Sequence, residues 1–225
     1  MVPDSSAEDF EQQRVTYAPK TAGAASNTIR WSNAMLEKRA TTRGFKFDLQ
    51  RAIQATGVVL RDRGSMDRMR LLKILYLASR KALEETGKPI IGGRASALEN
   101  GPLHSEVYDQ IKGDANDTEW RNYFHNSGYT MSLKADPGRL DLSPYEIDLL
   151  NEKAQWAEQF ETFELSEWTH SLPEWKANQP AKKGSNPICV EDILSALGMS
   201  DDEMQEIINE QRADDQFSAA LEAVR

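Results

Sequence analysis

At 225 residues the chain can hold one domain with extensions or two small domains, and a domain of ~150–200 residues buries roughly 70% of the surface its unfolded chain exposes. Acids outnumber bases 36 to 27, and the resulting net charge of −9 argues against a general nucleic-acid binder, whose phosphate contacts need clustered Lys and Arg. No stretch approaches the ~20 apolar residues that span a bilayer, and the single Cys189 has no internal disulfide partner.

Residues 1–9 carry neither a basic n-region nor an apolar h-region, so no secretory signal is expected and cytoplasmic residence follows by elimination. Residues 1–44 are rich in Ser, Thr, Ala, Asn and Gln, and only Ile29, Trp31, Met35 and Leu36 hint at a helical patch. That composition reads as a mobile polar N-terminal arm that orders on contact with a partner. From Phe45 to about Arg63 the apolar residues Phe47, Ala52, Ile53, Val58, Val59 and Leu60 suit one helix, with Gly57 as a weak point inside it. Ser65 reads as the N-cap of the next helix, which runs from Met66 to about Thr86 and is closed by Gly87. Leu71, Leu72, Ile74, Leu75, Tyr76, Leu77, Ala78 and Leu83 make this helix apolar almost all round, the mark of a central, buried element.

Ile90 to Leu98 reads as a short extended pair or hairpin with its turn at Gly92-Gly93, and Asn100-Gly101-Pro102 as a second turn leading into a helix with Val107, Tyr108 and Ile111. Tyr129 to Leu133 alternates like a strand. Ser143, Pro144 and Glu146 form a capping-box signal for a helix carrying Ile147, Leu150, Ala154 and Ala157. A short helix is expected around Leu165 to His170, broken by Pro173, with Trp175 just beyond. Residues 178–187 have linker composition, and residues 188–225 read as an acidic helical extension. Residues 200–225 alone hold a net charge of −6. That excess suits either a basic partner surface or a solvated face.

Three blocks stand out in order: Arg70-Leu71-Leu72-Lys73-Ile74-Leu75-Tyr76-Leu77-Ala78 followed by Gly87-Lys88-Pro89-Ile90; Asn100-Gly101-Pro102-Leu103-His104-Ser105-Glu106-Val107-Tyr108; and Leu165-Ser166-Glu167-Trp168-Thr169-His170 followed by Trp175. Over residues 69–175 they resemble the Panacea domain, the SocA-like antitoxin family of bacterial toxin–antitoxin systems. Asn100 departs from the family pattern, which has a tyrosine before Gly-Pro. The resemblance implies an antitoxin that neutralises a cognate toxin of unspecified identity by direct protein contact. It also brings in an adaptor that hands its toxin to a cytoplasmic protease, since at least one member of the family acts so. A phage-borne protein that blocks a host defence factor shares the same binding logic. The family-motif residues Lys73, Tyr76, Gly101, Pro102, Val107, Tyr108, Thr169, His170 and Trp175 are the candidates for structural or toxin-contacting roles.

Catalytic readings are weaker. His104, His125 and His170 lack a second ligand type at metal-site spacing, and Gly92-Gly93 is too short for a phosphate cradle. Ser166, Glu167 and His170 could be imagined as a hydrolase triad, but neighbours on one helix rarely converge on a single atom. His170 is expected to be hydrogen-bonded beneath Trp175. Lys73 is expected to run its stem over the core and keep its ammonium wet. Of Trp120, Tyr123, Phe124, Trp156, Phe160, Phe163, Trp168 and Trp175, most should be core, with one or two exposed as interface anchors. The expectation is therefore an α+β fold, mainly α-helical with a small antiparallel β-sheet and a helical C-terminal extension. It comprises the arm over 1–44, the domain over 45–177, the linker over 178–187 and the extension over 188–225. It is expected to be a binding protein, not an enzyme, with no cofactor and no metal.

Overall fold

Asp67 sets the start of the central helix. Its carboxylate accepts from the backbone N–H of Met69 at 2.8 Å and of Arg70 at 3.3 Å, so Asp67 and not Ser65 is the N-cap. The computed structural model describes residues 44–115 and 118–223, and the expected N-terminal arm lies, apart from Gly44, outside the described residues. In chain order the elements are α1 (Leu49–Arg61), β1 (Ser65–Asp67), α2 (Arg68–Thr86), β2 (Ala95–Leu98), β3 (Gly101–His104), α3 (Ser105–Lys112), α4 (Thr118–Tyr123), β4 (Phe124–Ser127) and β5 (Thr130–Leu133). They continue as α5 (Pro144–Ala157), α6 (Thr162–Thr169), α7 (Pro173–Ala177), β6 (Ser185–Ile188), α8 (Val190–Ala196) and α9 (Asp201–Ala223). The fold is α+β and mainly helical, with two small antiparallel sheets of order β1-β5-β4 and β3-β2-β6.

Helix α2 is the axis of this arrangement. Every residue from Leu71 to Ser79 is buried, and the helix packs on α5, β3, α6 and α1. Gly87 ends it in the left-handed conformation at φ 71°, donating its N–H to Leu83 O. Arg70, at the start of α2, donates to the carbonyls of Ala157 and Phe160 and so satisfies acceptors freed at the C-terminal end of α5. At the other end of α5, Ser143 and Glu146 form the expected capping box. Arg51 of α1 donates to Ile90 O at 3.2 Å and pairs with Glu146, which ties α1 to the same helix start.

Gly57 was expected to be a weak point in α1, and the packing gives it a purpose. A Cβ there would lie 2.4 Å from Pro137 Cγ, so the missing side chain seats the proline of the β5–α5 connection. Gly92-Gly93 does not make a hairpin turn. A Cβ on Gly92 would meet Lys46 O at 2.0 Å, and Gly93 N–H donates to Phe45 O at 2.6 Å, so both glycines admit the backbone of residues 44–46. The hairpin instead joins β2 to β3 through Glu99 and Asn100, pairing Ala97 with Pro102 and Ala95 with His104. Pro102 therefore sits within a strand, and α3 starts only at Ser105. Having no N–H, Pro102 is tolerated because β3 lies at the edge of its sheet.

The segment with linker composition also differs from its sequence reading. Residues 185–188 form β6, which pairs with the far edge of β2, Ala97 facing Asn186. Beyond it, Val190 and Leu194 of α8 and Leu83 of α2 form a second apolar cluster, against which Met204, Ile207 and Ile208 of α9 pack. Ser200 and Glu203 cap α9 reciprocally, through the Ser200 hydroxyl and backbone N–H to the Glu203 carboxylate. We expect Leu194→Ala, which empties a fully buried site, to lower unfolding free energy by about 2–5 kcal/mol in urea denaturation. Ser143→Ala should cost about 1 kcal/mol in the same assay. An unchanged midpoint for Leu194→Ala would mean that α8 contributes nothing to the stability of the domain.

Candidate functional site

The three family blocks meet at the turn between β2 and β3. Lys73, one and a half turns into α2, points its ammonium at β3 and donates to Pro102 O at 2.8 Å. Gly101 adopts φ 92°, and a Cβ there would lie 2.2 Å from Thr169 Oγ1 and 2.9 Å from Lys73 Nζ. Both the left-handed backbone and the lack of space demand glycine. Thr169 turns its hydroxyl back to Ser166 O at 2.6 Å, a bond within α6, while Ser166 Oγ donates across to Asn100 O at 2.8 Å. Trp175, carried by α7, donates Nε1–H to Leu98 O at 2.9 Å. Lys73, Gly101, Pro102, Thr169 and Trp175 thus belong to one set of contacts around the hairpin, each long-range bond ending on a backbone carbonyl of residues 98–102.

Two expectations change at this point. Lys73 is only 1% exposed, so its ammonium is not in bulk water, and burial pulls the amine from its ordinary 10.5 down to about 7. No carboxylate among the described residues forms an ion pair with it. His170 is not held by a hydrogen bond beneath Trp175. Its ring stacks on the indole, with centroids 4.0 Å apart and planes 15° apart, and Nδ1 lies 3.5 Å from a Glu167 carboxylate oxygen. Ser166 is committed to Asn100, so Ser166, Glu167 and His170 do not assemble as a triad.

The remaining motif residues lie nearby but do other work. Tyr76 donates its hydroxyl to Glu174 at 3.1 Å, and Arg80 reaches the same carboxylate at 2.7 and 3.3 Å. The Glu174 side chain is fully buried, and burial together with this carboxylate pushes the Tyr76 phenol well above its ordinary pKa, which keeps it a neutral donor. The sequence reading missed this Tyr76–Arg80–Glu174 node. Arg80 and Glu174 lie 94 residues apart, and neither carries a local signal of pairing. Val107 is core, and Tyr108 is partly buried against the main cluster. His104 is buried beside Tyr76, with ring centroids 5.8 Å apart, and burial pushes its imidazole down to about 4.

Outside this cluster opens a cleft of about 870 Å³, with Leu72, Lys73, Leu98, Gly101, Leu103 and Tyr108 among its lining residues. Two aromatic side chains also line it and stand in solvent, Phe163 at 74% and Tyr129 at 72% exposure. Arg68 stacks over the Tyr129 ring at 4.6 Å. A second pocket of about 450 Å³ lies where α9 meets the C-terminal end of α2, lined by Gly87, Lys88, Pro89 and Ile90 from the tail of the first block. The larger cleft is the better candidate, because residues of the first two blocks line it and its surface is both apolar and charged. Among the described residues, no group of three or more His, Cys, Asp or Glu side chains could hold a metal ion, and no helix is long and apolar enough to cross a membrane.

The class defined by these features is a mainly helical α+β domain, with an aromatic-flanked cleft beside a hairpin that α2, α6 and α7 hold in place. Residues 71–176 match the family model described as antitoxin SocA-like, Panacea domain, the family that the three blocks resemble over residues 69–175. No curated protein and no solved structure is a significant match.

Two outcomes follow from the cluster. Gly101→Ala should destabilise the domain by more than about 2 kcal/mol, because it combines backbone strain with a forced shift of Thr169 and Lys73. A thermal melt within a degree of wild type would contradict that packing. Between about pH 7 and the ordinary 10.5, the unfolded chain keeps a proton on Lys73 that the folded chain has released. Stability should therefore rise with pH across that window, by up to about 1.4 kcal/mol per unit, and the Lys73→Met variant should lack this rise. Parallel pH profiles for the two proteins would show that the amine keeps its ordinary pKa.

Proposed function

We propose that the protein is an antitoxin that neutralises a cognate protein toxin by direct binding, without chemistry of its own. The observation that carries this reading is the SocA-like Panacea domain over residues 71–176. Two features of the surface support it. The cleft beside the family blocks offers Phe163 and Tyr129 to solvent, and exposed aromatic side chains of this kind are common interface anchors. The long helix α9 carries Asp201, Asp202, Glu203, Glu206, Glu210, Asp214 and Asp215 against Arg212, an acidic charge balance suited to steering a basic partner.

Neutralisation is steric in this reading: the antitoxin covers or distorts the working surface of the toxin. The domain supplies a rigid platform, and the segments outside residues 71–176 supply selectivity for one partner. The site residues named from the sequence divide accordingly. Gly101, Pro102, Thr169 and Trp175 hold the platform, and Lys73 and Tyr108 contribute to the surface that the partner meets. The working compartment is the cytoplasm.

The test is co-expression with the product of the gene beside its own. Growth rescue together with a co-purifying complex is the expected result. A toxic neighbour that is neither rescued nor bound would overturn the reading.

A further inference from the structure

Lys73 is a buried amine to which the described residues supply no anion. Its one hydrogen-bond acceptor is the neutral carbonyl of Pro102, although an ammonium has three donors. An unpaired buried charge is costly, and the usual remedies are a counter-charge or loss of the proton. The amine also lines the cleft, together with the apolar side chains of Leu72, Leu98 and Leu103.

The other charged groups lining the cleft do not neutralise it. Asp67 accepts through Oδ1 from the two backbone N–H groups that start α2 and forms no ion pair with Lys73. Glu99 and Glu161 are exposed, and neither pairs with Lys73. Arg68 is fixed over Tyr129, and Lys183 lies on the same lining, so two further cations accompany Lys73. The cleft therefore combines apolar walls, two exposed aromatic residues and a buried amine to which the described residues supply no counter-charge. An occupant matching all three features is apolar with a single carboxylate.

We propose that this cleft receives a protein segment of the toxin in which one Asp or Glu is flanked by apolar side chains. Its carboxylate pairs with Lys73, and the apolar neighbours lie against Phe163 and Tyr129. That the segment belongs to a toxin rests on the function proposed above. The chemistry of the segment rests on the cleft alone. Burial holds the free amine near neutrality in pKa, so an arriving carboxylate restores the ammonium and gains a charge-assisted bond in a water-poor site.

The experiment measures binding of the full chain to the neighbour-encoded toxin, with Lys73→Met, Phe163→Ser and Tyr129→Ser compared with the wild type and with Lys182→Met as a control. The two aromatic changes are on the surface and keep the fold, so they serve if Lys73→Met alters stability. Each cleft variant should bind at least about tenfold more weakly, and the control should be unchanged. Asp→Asn and Glu→Gln scanning of the toxin should reveal one carboxylate whose loss costs nothing further in the Lys73→Met background. Wild-type affinity in all three cleft variants would overturn the proposal and leave the antitoxin reading standing. If the wild type binds no toxin, that reading fails and the cleft is tested by itself. The probe is then a capped hexapeptide with one glutamate among leucines and phenylalanines, compared with its glutamine counterpart and with N-acetylglutamate, each read by the side-chain nitrogen resonance of Lys73. A response to the glutamate peptide alone supports the proposal. Equal responses to the two peptides, no response, or a response to free N-acetylglutamate as strong as to the peptide would overturn it.

Discussion

The packing of Gly101 between Lys73 and Thr169 is the constraint on which the rest of the domain depends. A left-handed glycine lets the β2–β3 hairpin come within van der Waals distance of α2 on one side and α6 on the other. The carbonyls of Leu98, Asn100 and Pro102 then take hydrogen bonds from Trp175, Ser166 and Lys73. A hairpin tip normally satisfies its carbonyls with water. Here side chains from three helices do so, and β3 is buried while Glu99 and Asn100 at the tip stay exposed. The order of the three sequence blocks along the chain is the linear trace of this single junction.

From that junction the structure extends in two directions. Towards the C-terminus, Glu174 is held by Tyr76 and Arg80, and Asn178 links the Glu174 carbonyl to the Asp192 carboxylate of α8 at 2.9 and 3.0 Å. Asp192 also accepts from Cys189 N–H at the start of that helix. A chain of polar bonds thus runs from the core of α2 into α8, with β6 adding a third strand to β3-β2 on the way. Towards solvent, the same hairpin forms part of the cleft, whose lining also includes the N-terminal turn of α6 and Lys183 and Gly184 just before β6. The segment that completes the small sheet therefore also contributes to the candidate site.

This arrangement gives a physical sense to a shared domain with particular extensions. The junction depends on one glycine and on backbone carbonyls that accept from the buried side chains of Lys73, Ser166 and Trp175. Phe163, Tyr129 and the acidic side chains of α9 are exposed, and they can vary without touching the core.

The sequence by itself determined the longer helices and the resemblance to one family over residues 71–176, but not the short helices α4 and α7. Signals acting over three or four residues were sufficient there: the Ser143–Glu146 capping box, the Gly87 stop, and an α2 apolar on nearly every face. Short-range readings failed wherever a distant backbone decided the outcome. Gly92-Gly93 looked like a turn because two glycines make turns easily, yet it serves the approach of residues 44–46. Residues 185–188 looked like linker because Ser, Asn and Pro favour loops, yet the open edge of β2 makes them a strand. Lys73 looked like a surface lysine with a buried stem, and only the position of β3 places its ammonium out of water. Charge, exposure and pairing depend on which surfaces meet across ~30 to 100 residues, and no local propensity encodes that meeting. The tertiary structure alone decided that Lys73, Gly101, Pro102, Thr169 and Trp175 surround one hairpin, that Glu174 is buried, and that a cleft opens beside Lys73.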